Sequence, residues 1–313
     1  MTIPNSTRIG VVGAGAVGCY FGGMLARAGA HVTLLRRPQS GSPAAPIAAP
    51  LHIDSIHFQQ SVPVHWTHDP VALRDSEIIL FCVKAQDNET AAQQIAPHLA
   101  PNAIVVSLQN GVDNVERLRA AAQIDALPCV VYVAAGMSAS DRVKHNGRGD
   151  LVIGEFTAAA AAPASPRVER VAALFESAGV KCVPSPNIAA DLWSKLMMNC
   201  AGNAITAIAQ CSYGRVAAHE PSRAVVTAII NECIAVARSS GVTLHPIDHV
   251  AAAIKLATAL GDATSSTAQD LARGKRTEVD ALNGYIARRG AQLNIPTPVN
   301  STLWALLKLL EEK

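Results

Sequence analysis

The sequence lacks the features that mark several large classes of protein. Charge is nearly balanced: 26 Lys and Arg against 24 Asp and Glu leave +2, too little to argue for a nucleic-acid or anionic-membrane partner. No run of the chain reaches the roughly 18 uninterrupted apolar residues that a spanning helix needs. The residues ahead of Arg8 carry no apolar signal core, so a cytoplasmic location is expected. The seven cysteines, at 19, 82, 129, 182, 200, 211 and 233, form no C-x-x-C pair, are odd in number and lie mostly in apolar runs. That pattern excludes a disulfide framework and a cysteine metal site, and predicts buried free thiols in a reducing compartment. His245 and His249 are four apart, but Pro246 and Asp248 intervene and no third ligand is evident, so a surface pair is expected and no metal. The chain also has no internal repeat.

What is present begins with one turn, Gly13-Ala14-Gly15-Ala16-Val17-Gly18. Arg8-Ile9-Gly10-Val11-Val12 before it reads as a buried strand, and Cys19 to Ala28 after it as a helix capped at Gly29. A G-x-G-x-x-G match in strand–turn–helix context predicts a dinucleotide site. Gly13 would make the tight turn, Gly15 would admit a pyrophosphate, and Gly18 would let helix pack on strand. The next strand, His31 to Leu35, ends at Arg36 and Arg37. An NAD site would carry a carboxylate there; a guanidinium grips the 2′-phosphate of NADP(H) instead.

At 313 residues and half apolar, the chain has length for two domains. From Pro38 to Pro50 it reads as a loop, and Leu51 to Trp66 as one or two short strands. Glu77 to Val83 and Ala103 to Leu108 are stronger strands, with a helix from Asn88 to Leu99 between them. Pro128 to Ala135 and Leu151 to Gly154 follow, joined by a polar stretch containing Asn146-Gly147. A helix over Ser165 to Ala178 and a last strand at Val180 to Pro184 complete this part; Thr157 to Ala164 reads as a surface insertion. After Pro186 no strand is predicted, and helices are expected at 188–210, 221–239, 246–260, 276–292 and 298–312. The fold class is therefore α/β: a Rossmann-type doubly wound sheet over residues 1–186, then an all-helical domain over 187–313.

Ligands in open α/β sheets bind beyond the carboxyl ends of the strands. Lys84 and Asn110 stand at two such ends. Asn110 reads either as a hydrogen-bonding group for ribose or substrate, or as half of an Asn-Gly turn; Lys84 reads equally as a solvated strand-end lysine. Farther on, Lys195, Asn199 and Asn203 recur every four residues and form one helical stripe among Met, Cys, Gly and Ala. A lysine and two amides lining a cleft would donate to a carboxylate, a ketone or hydroxyls; an ordinary exposed face is the alternative. In Thr264-Ser265-Ser266-Thr267, the hydroxyls cap a short helix or hold a substrate carboxylate, and Glu278 lies in the first turn of the next helix, where the dipole alone would favour it.

Taken together these stretches resemble the ketopantoate reductase (2-dehydropantoate 2-reductase) family over nearly the whole chain. The resemblance rests on the glycine turn, Val83-Lys84, Leu108-Gln109-Asn110-Gly111, Lys195 with Asn199 and Asn203, Ser265-Ser266 followed by Gln269-Asp270, and Thr277-Glu278. One departure is Thr267-Ala268, where the family often carries a methionine. The resemblance implies NADPH-dependent reduction of a 2-oxo acid in pantothenate biosynthesis, with Lys195 the catalytic acid and Glu278 its partner. Asn110, Asn199, Asn203 and Ser266 would contact substrate. Arg36 and Lys84 would serve the cofactor with the glycine turn, and Asn110 and Glu278 are counted on the cofactor side as well. Burial would lower the pKa of Lys195 while Glu278 opposed the shift. Two domains suggest hinge closure around the ligands.

Expected partners are then a small-molecule 2-oxo acid, no nucleic acid and no membrane, with a homodimer left open. Two other readings stand beside this one. A β-hydroxyacid dehydrogenase also pairs a glycine turn with a helical lysine and an asparagine four residues on, but Val133 to Ser138 lacks that group's Gly-Gly substrate motif. A non-catalytic NADPH-sensing module would keep the fold without turnover; Lys195 and Glu278 together argue against it.

Overall fold

The computed structural model describes residues 7–37, 46–156 and 163–312, so the Pro38 to Pro50 loop lies largely, and the alanine-rich insertion mostly, outside the described residues. The chain divides into two compact units, residues 1–109 with 113–188, and residues 110–112 with 189–313.

The first unit is built on β1 (Arg8–Val12), α1 (Ala16–Arg27), β2 (His31–Leu35), β3 (Ile47–Ser55), β4 (Gln59–Thr67) and β5 (Ile78–Phe81). It continues through α2 (Asn88–Ile95), β6 (Ile104–Ser107), α3 (Asn114–Ala122), β7 (Ala126–Ala139), β8 (Arg142–Ile153), α4 (Pro166–Ser177) and β9 (Cys182–Pro184). Six strands pair in parallel in the order β4-β2-β1-β5-β6-β7. Counted along the chain, that is the 3-2-1-4-5-6 order of two-halved nucleotide-binding sheets. The central strands are apolar runs because both faces are covered. Ile9 and Val11 point into the layer with α1 and α4, and Val12, Ile79 and Phe81 into the layer with α2 and α3.

The sheet does not stay open, which corrects the expectation of a Rossmann-type doubly wound sheet. β3 and β4 form one antiparallel hairpin of nine-residue strands. β7 and β8 form another, far longer than expected. The first half of β8 then pairs with β3, His52 opposite Arg142 through Ser55 opposite His145, and its second half pairs with β9. Eight strands are thereby joined in a ring. The polar stretch containing Asn146-Gly147, expected to join two strands, instead lies within β8, where register shifts and positive φ at Gly147, Arg148 and Gly149 bulge the strand so that it bends.

α1 runs inside this ring, and every residue from Gly18 to Ala26 is buried. A helix so enclosed needs small residues where strands approach. A Cβ at Gly22 would lie 2.9 Å from Val11 Cγ2, and one at Gly23 would lie 2.8 Å from Ile53 Cδ1. Tyr20 stacks on His145, whose Nδ1 and Nε2 engage the Ser55 hydroxyl and the Arg148 carbonyl, so the closure is pinned at its seam.

The second unit is helical: α5 (Ile188–Ala209), α6 (Tyr213–Ala218), α7 (Glu220–Ser239), α8 (His249–Leu260), α9 (Ser266–Ala272), α10 (Asn283–Gln292) and α11 (Pro298–Glu311). Its core gathers Trp193, Leu196, Met197 and Cys200 of α5 with Ile229, Ile230, Cys233 and Val236 of α7 and Ile286 of α10. The helix expected over 276–292 is interrupted. Val279–Ala281 is a short 3-10 turn, and Leu282, at φ −107° and ψ −105°, breaks it from α10. α8 starts three residues later than expected because Asp248, not Pro246, supplies the cap, accepting from the Ala251 N–H. His249 is consequently buried, with no hydrogen bond to either ring nitrogen among the described residues, and is not half of a surface pair; His245 bonds Asp191 at 2.8 Å. All seven cysteines are free, no helix is long and apolar enough to cross a membrane, and no metal-binding cluster occurs among the described residues.

The glycine approach gives the first prediction. A Cβ at Gly18 would lie 2.3 Å from the Gly13 carbonyl oxygen and 2.8 Å from Val11 Cγ1. Overpacking against backbone costs about 3 kcal/mol, and alanine's helix propensity returns about 1 kcal/mol. Gly18→Ala should therefore lower Tm by about 4–8 °C in a thermal melt; an unchanged Tm would contradict the close packing.

Candidate active site

In the first unit the three glycines of the turn differ in what surrounds them. Gly13 has φ +96°, and a Cβ there would meet Val83 N at 2.8 Å and Cys82 C at 2.9 Å. Gly15 is exposed, and a Cβ would meet nothing within 4 Å. Gly18 closes on the Gly13 carbonyl. Gly13 is thus required by backbone geometry and crowding, Gly18 by packing, and Gly15 leaves open space. α1 starts at Ala16 with no side chain capping it and no acidic residue in its first turn. Its first N–H groups and the positive end of its dipole therefore fit an anion such as a pyrophosphate. Cys19 and Cys82 beside the turn are packing groups: burial pushes the Cys19 thiol up to about 12 and that of Cys82 further, so neither is a thiolate at neutral pH.

Arg36 and Arg37 follow β2, and they are not equivalent. The Arg36 guanidinium lies 3.5 Å over the Trp66 ring and donates to the Ser140 carbonyl, while its backbone N–H donates to Thr67 O. Partial burial lowers its pKa but leaves it a cation. The stacking fixes its plane in advance. Arg37 is exposed and pairs with Asp87.

Lys84 immediately precedes a 3-10 turn at Ala85–Asp87 and is partly buried. The loops after β5 and β6 are tied together by a buried amide network. Gln109 Nε2 donates to the Val83 carbonyl at 2.8 Å and to Asn88 Oδ1 at 2.5 Å. Gln109 Oε1 accepts from the Ser107 hydroxyl, and Asn88 Nδ2 donates to Asn114 Oδ1. Spacing and periodicity single out none of the four side chains of this network: Gln109 lies within a strand-end run, and Asn88 reads only as a helix start.

In the second unit, Asn110 Nδ2 donates to Glu278 Oε2 at 2.9 Å. Glu278 stands just before the Val279–Ala281 turn, so it is held by its loop, not by a helical first turn. That loop is fastened on both sides. Thr277 donates its N–H and its hydroxyl to Glu311, and Asp280 accepts from Trp304 and Lys308. Burial would raise the Glu311 and Asp280 carboxyls, but hydrogen bonds from these partners outweigh it and hold both below the usual range.

α5 carries Lys195, Asn199 and Asn203 on one stripe about 12 Å long. Its other faces bury Leu196, Met197, Cys200 and Ala204 in the helical core. Lys195 and Asn199 are partly buried, and Asn203 is 4 % exposed. Asn203 Oδ1 accepts from the Tyr213 hydroxyl at 2.8 Å. Ser265 is the structural cap of α9, accepting from the Ala268 N–H and from the Thr206 hydroxyl, with its own hydroxyl 3.4 Å from Asn203 O. Ser266 beside it is exposed. The two readings of the serine pair therefore divide: Ser265 caps, and Ser266 is the one left accessible. The fold thus brings Asn110 to Glu278, and Asn203 to the Ser265-Ser266 pair.

The family model described as ketopantoate reductase PanE/ApbA matches residues 9–158, and that for its C terminal matches 187–311. The chain belongs to the ketopantoate reductase PanE/ApbA family. A 2-dehydropantoate 2-reductase of Vibrio cholerae is 30% identical over 97% of this chain and 98% of its own. One from Archaeoglobus fulgidus is 31% identical with the same coverage. The crystal structure of a PanE/ApbA family ketopantoate reductase from Ralstonia eutropha is 44% identical and superposes with a TM-score of 0.86, covering 98% of this chain and 99% of that one.

Proposed function

We propose that this chain reduces 2-dehydropantoate to pantoate with NADPH. One observation carries the reading: the glycine turn with open space at Gly15 and the Lys195–Asn199–Asn203 stripe occur together in a chain whose full-length relatives include 2-dehydropantoate 2-reductases. The parallel strand order supports a Rossmann-type reading of the first unit. Gly13, Ala14, Gly15, Ala16, Val17 and Gly18 hold the cofactor pyrophosphate on backbone N–H groups. Arg36, its plane set by Trp66, takes the 2′-phosphate, and Lys84 adds positive charge on the same side. NADPH, when bound, supplies the hydride.

The residues of the helical unit manage the substrate and the proton. Asn199, Asn203 and Ser266 bind the 2-oxo acid, and Asn110 binds substrate or ribose. As hydride reaches the ketone carbon, negative charge builds on its oxygen. The Lys195 ammonium donates a hydrogen bond and then a proton to that oxygen, giving the alcohol; the amine regains its proton from solvent. Glu278, oriented by Asn110, keeps the site's charge balanced against the lysine. Carboxylate and ammonium both belong to this chain, so no metal is needed for the proton step.

Two measurements test the reading. Arg36→Ala should raise KM for NADPH by a loss of about 1.5–3 kcal/mol, the worth of a charge-assisted bond, and leave NADH kinetics nearly unchanged. Equal loss with both cofactors, or with neither, removes Arg36 as the discriminator. Lys195→Ala should slow single-turnover NADPH oxidation at saturating 2-dehydropantoate by about 10²–10⁴-fold while NADPH still binds. A chemical step within about threefold of the parent takes Lys195 out of the mechanism and makes Lys84 the next candidate.

A further inference from the structure

Tyr213 carries no periodic or motif signal in the sequence, yet its side chain reaches the Lys195–Asn199–Asn203 stripe. It opens α6, one short loop after α5 ends. Its backbone is fixed from both sides: the Tyr213 N–H donates to Ala263 O, the Gly214 N–H donates to Gly261 O, and Ser212 caps the helix through the Arg215 N–H. The edge of the ring then lies against α5 at Gly202. A Cβ at Gly202 would sit 2.6 Å from Tyr213 Cε1 and 3.1 Å from Cδ1, so only glycine admits the ring there. From that position the hydroxyl reaches the next residue of α5 and donates to Asn203 Oδ1 at 2.8 Å.

The consequence lies in the symmetry of an amide. The two ends of an asparagine side chain have nearly the same shape, so only hydrogen-bond partners decide which end faces which way. Asn203 is buried, and the Tyr213 hydroxyl is the one side-chain partner of its amide among the described residues. Burial pushes the Tyr213 phenol up to about 12 against an opposing influence of the Ser265 hydroxyl, so it is protonated throughout the ordinary pH range. A phenol donating to Oδ1 leaves the two Nδ2 hydrogens as the outward end.

We propose that Tyr213 is a positioning residue for substrate recognition: seated on Gly202, it locks the Asn203 amide so that its N–H donors, and not its oxygen, are presented to the carboxylate of the 2-oxo acid. The proposal rests on the reading of Asn203 as a substrate ligand given under Proposed function. It explains why the stripe is followed so closely by a tyrosine held over a glycine. An anion needs donors, and an unlocked amide would present its oxygen part of the time and repel it.

The test uses the full chain as parent, Tyr213→Phe, Asn203→Ala, Asn203→Asp and the Tyr213→Phe/Asn203→Ala double variant. KM and kcat are measured with 2-dehydropantoate, NADPH affinity by fluorescence titration, and folding by thermal melts. Tyr213→Phe keeps the ring over Gly202 and should raise KM about 5- to 20-fold, with kcat within about twofold and NADPH affinity unchanged. In the double variant the Tyr213 change should add nothing to the KM of Asn203→Ala. Asn203→Asp keeps an acceptor for the Tyr213 hydroxyl but sets a carboxylate oxygen where the donors were, and should raise KM above that of Asn203→Ala.

An unchanged KM in Tyr213→Phe, with a raised one in Asn203→Ala, overturns the proposal and leaves Asn203 as a ligand. Unchanged KM in Asn203→Ala overturns both. Additive effects in the double variant mean that Tyr213 does not act through Asn203, and overturn the proposal alone. Should Tyr213→Phe fail to fold, Asn203→Asp decides: a KM near the parent's would mean that the oxygen faces the substrate, which overturns it.

Discussion

Everything in the first unit depends on how closely α1 approaches the strands around it. Three glycines on that helix leave no room for a methyl group: Gly18 against the Gly13 carbonyl, Gly22 against Val11, and Gly23 against Ile53. Because the helix can sit this deep, the strands can curl round it, and the β3–β8 pairing can close the ring. The same close approach sets the start of α1 directly beyond β1 with its first N–H groups uncapped. The packing constraint and the anion site are thus one feature seen from two ends. Glycine pays its entropic cost here for both.

The second unit answers a different constraint. α5 is a core helix on most of its surface, and polar groups on such a helix cost free energy unless something satisfies them. Thr206 and Ser265 satisfy each other and the backbone, and Tyr213 satisfies the Asn203 oxygen. Glu278 is similarly supported at one remove, through Thr277 and Asp280 tied to α11. Asn203 and the loop of Glu278 are each held by neighbours, Tyr213 for the first and the contacts of Thr277 and Asp280 with α11 for the second. Site geometry of this kind is made rigid by neighbours that never meet the ligand.

The sequence singles out the candidate site residues and leaves the contacts around them hidden. Gly13, Gly15 and Gly18 could be assigned separate roles from spacing alone, because strand–turn–helix geometry leaves few alternatives, and their surroundings differ in just those ways. The α5 stripe was legible from its period of four. Ring closure was not: β3–β8 joins residues about ninety positions apart, and no local pattern encodes that pairing. The polar stretch around Asn146-Gly147 reads as a connection between strands because glycine and polar residues also suit a bulge inside a long strand. Gln109, Asn88 and Tyr213 were missed for the same reason in each case. Their partners are distant in sequence or lie across a helix junction, and a lone amide or phenol carries no periodic signal.

The central claim is that a phosphate-gripping turn and a proton-donating helix serve one reduction. It is tested most directly by following NADPH oxidation and product together, with 2-dehydropantoate beside a panel of other 2-oxo acids. The account predicts one pantoate formed for each NADPH oxidised, with kcat/KM highest for 2-dehydropantoate and much lower when NADH replaces NADPH. NADPH binding without turnover of any 2-oxo acid, or equal use of every acid in the panel, would contradict it.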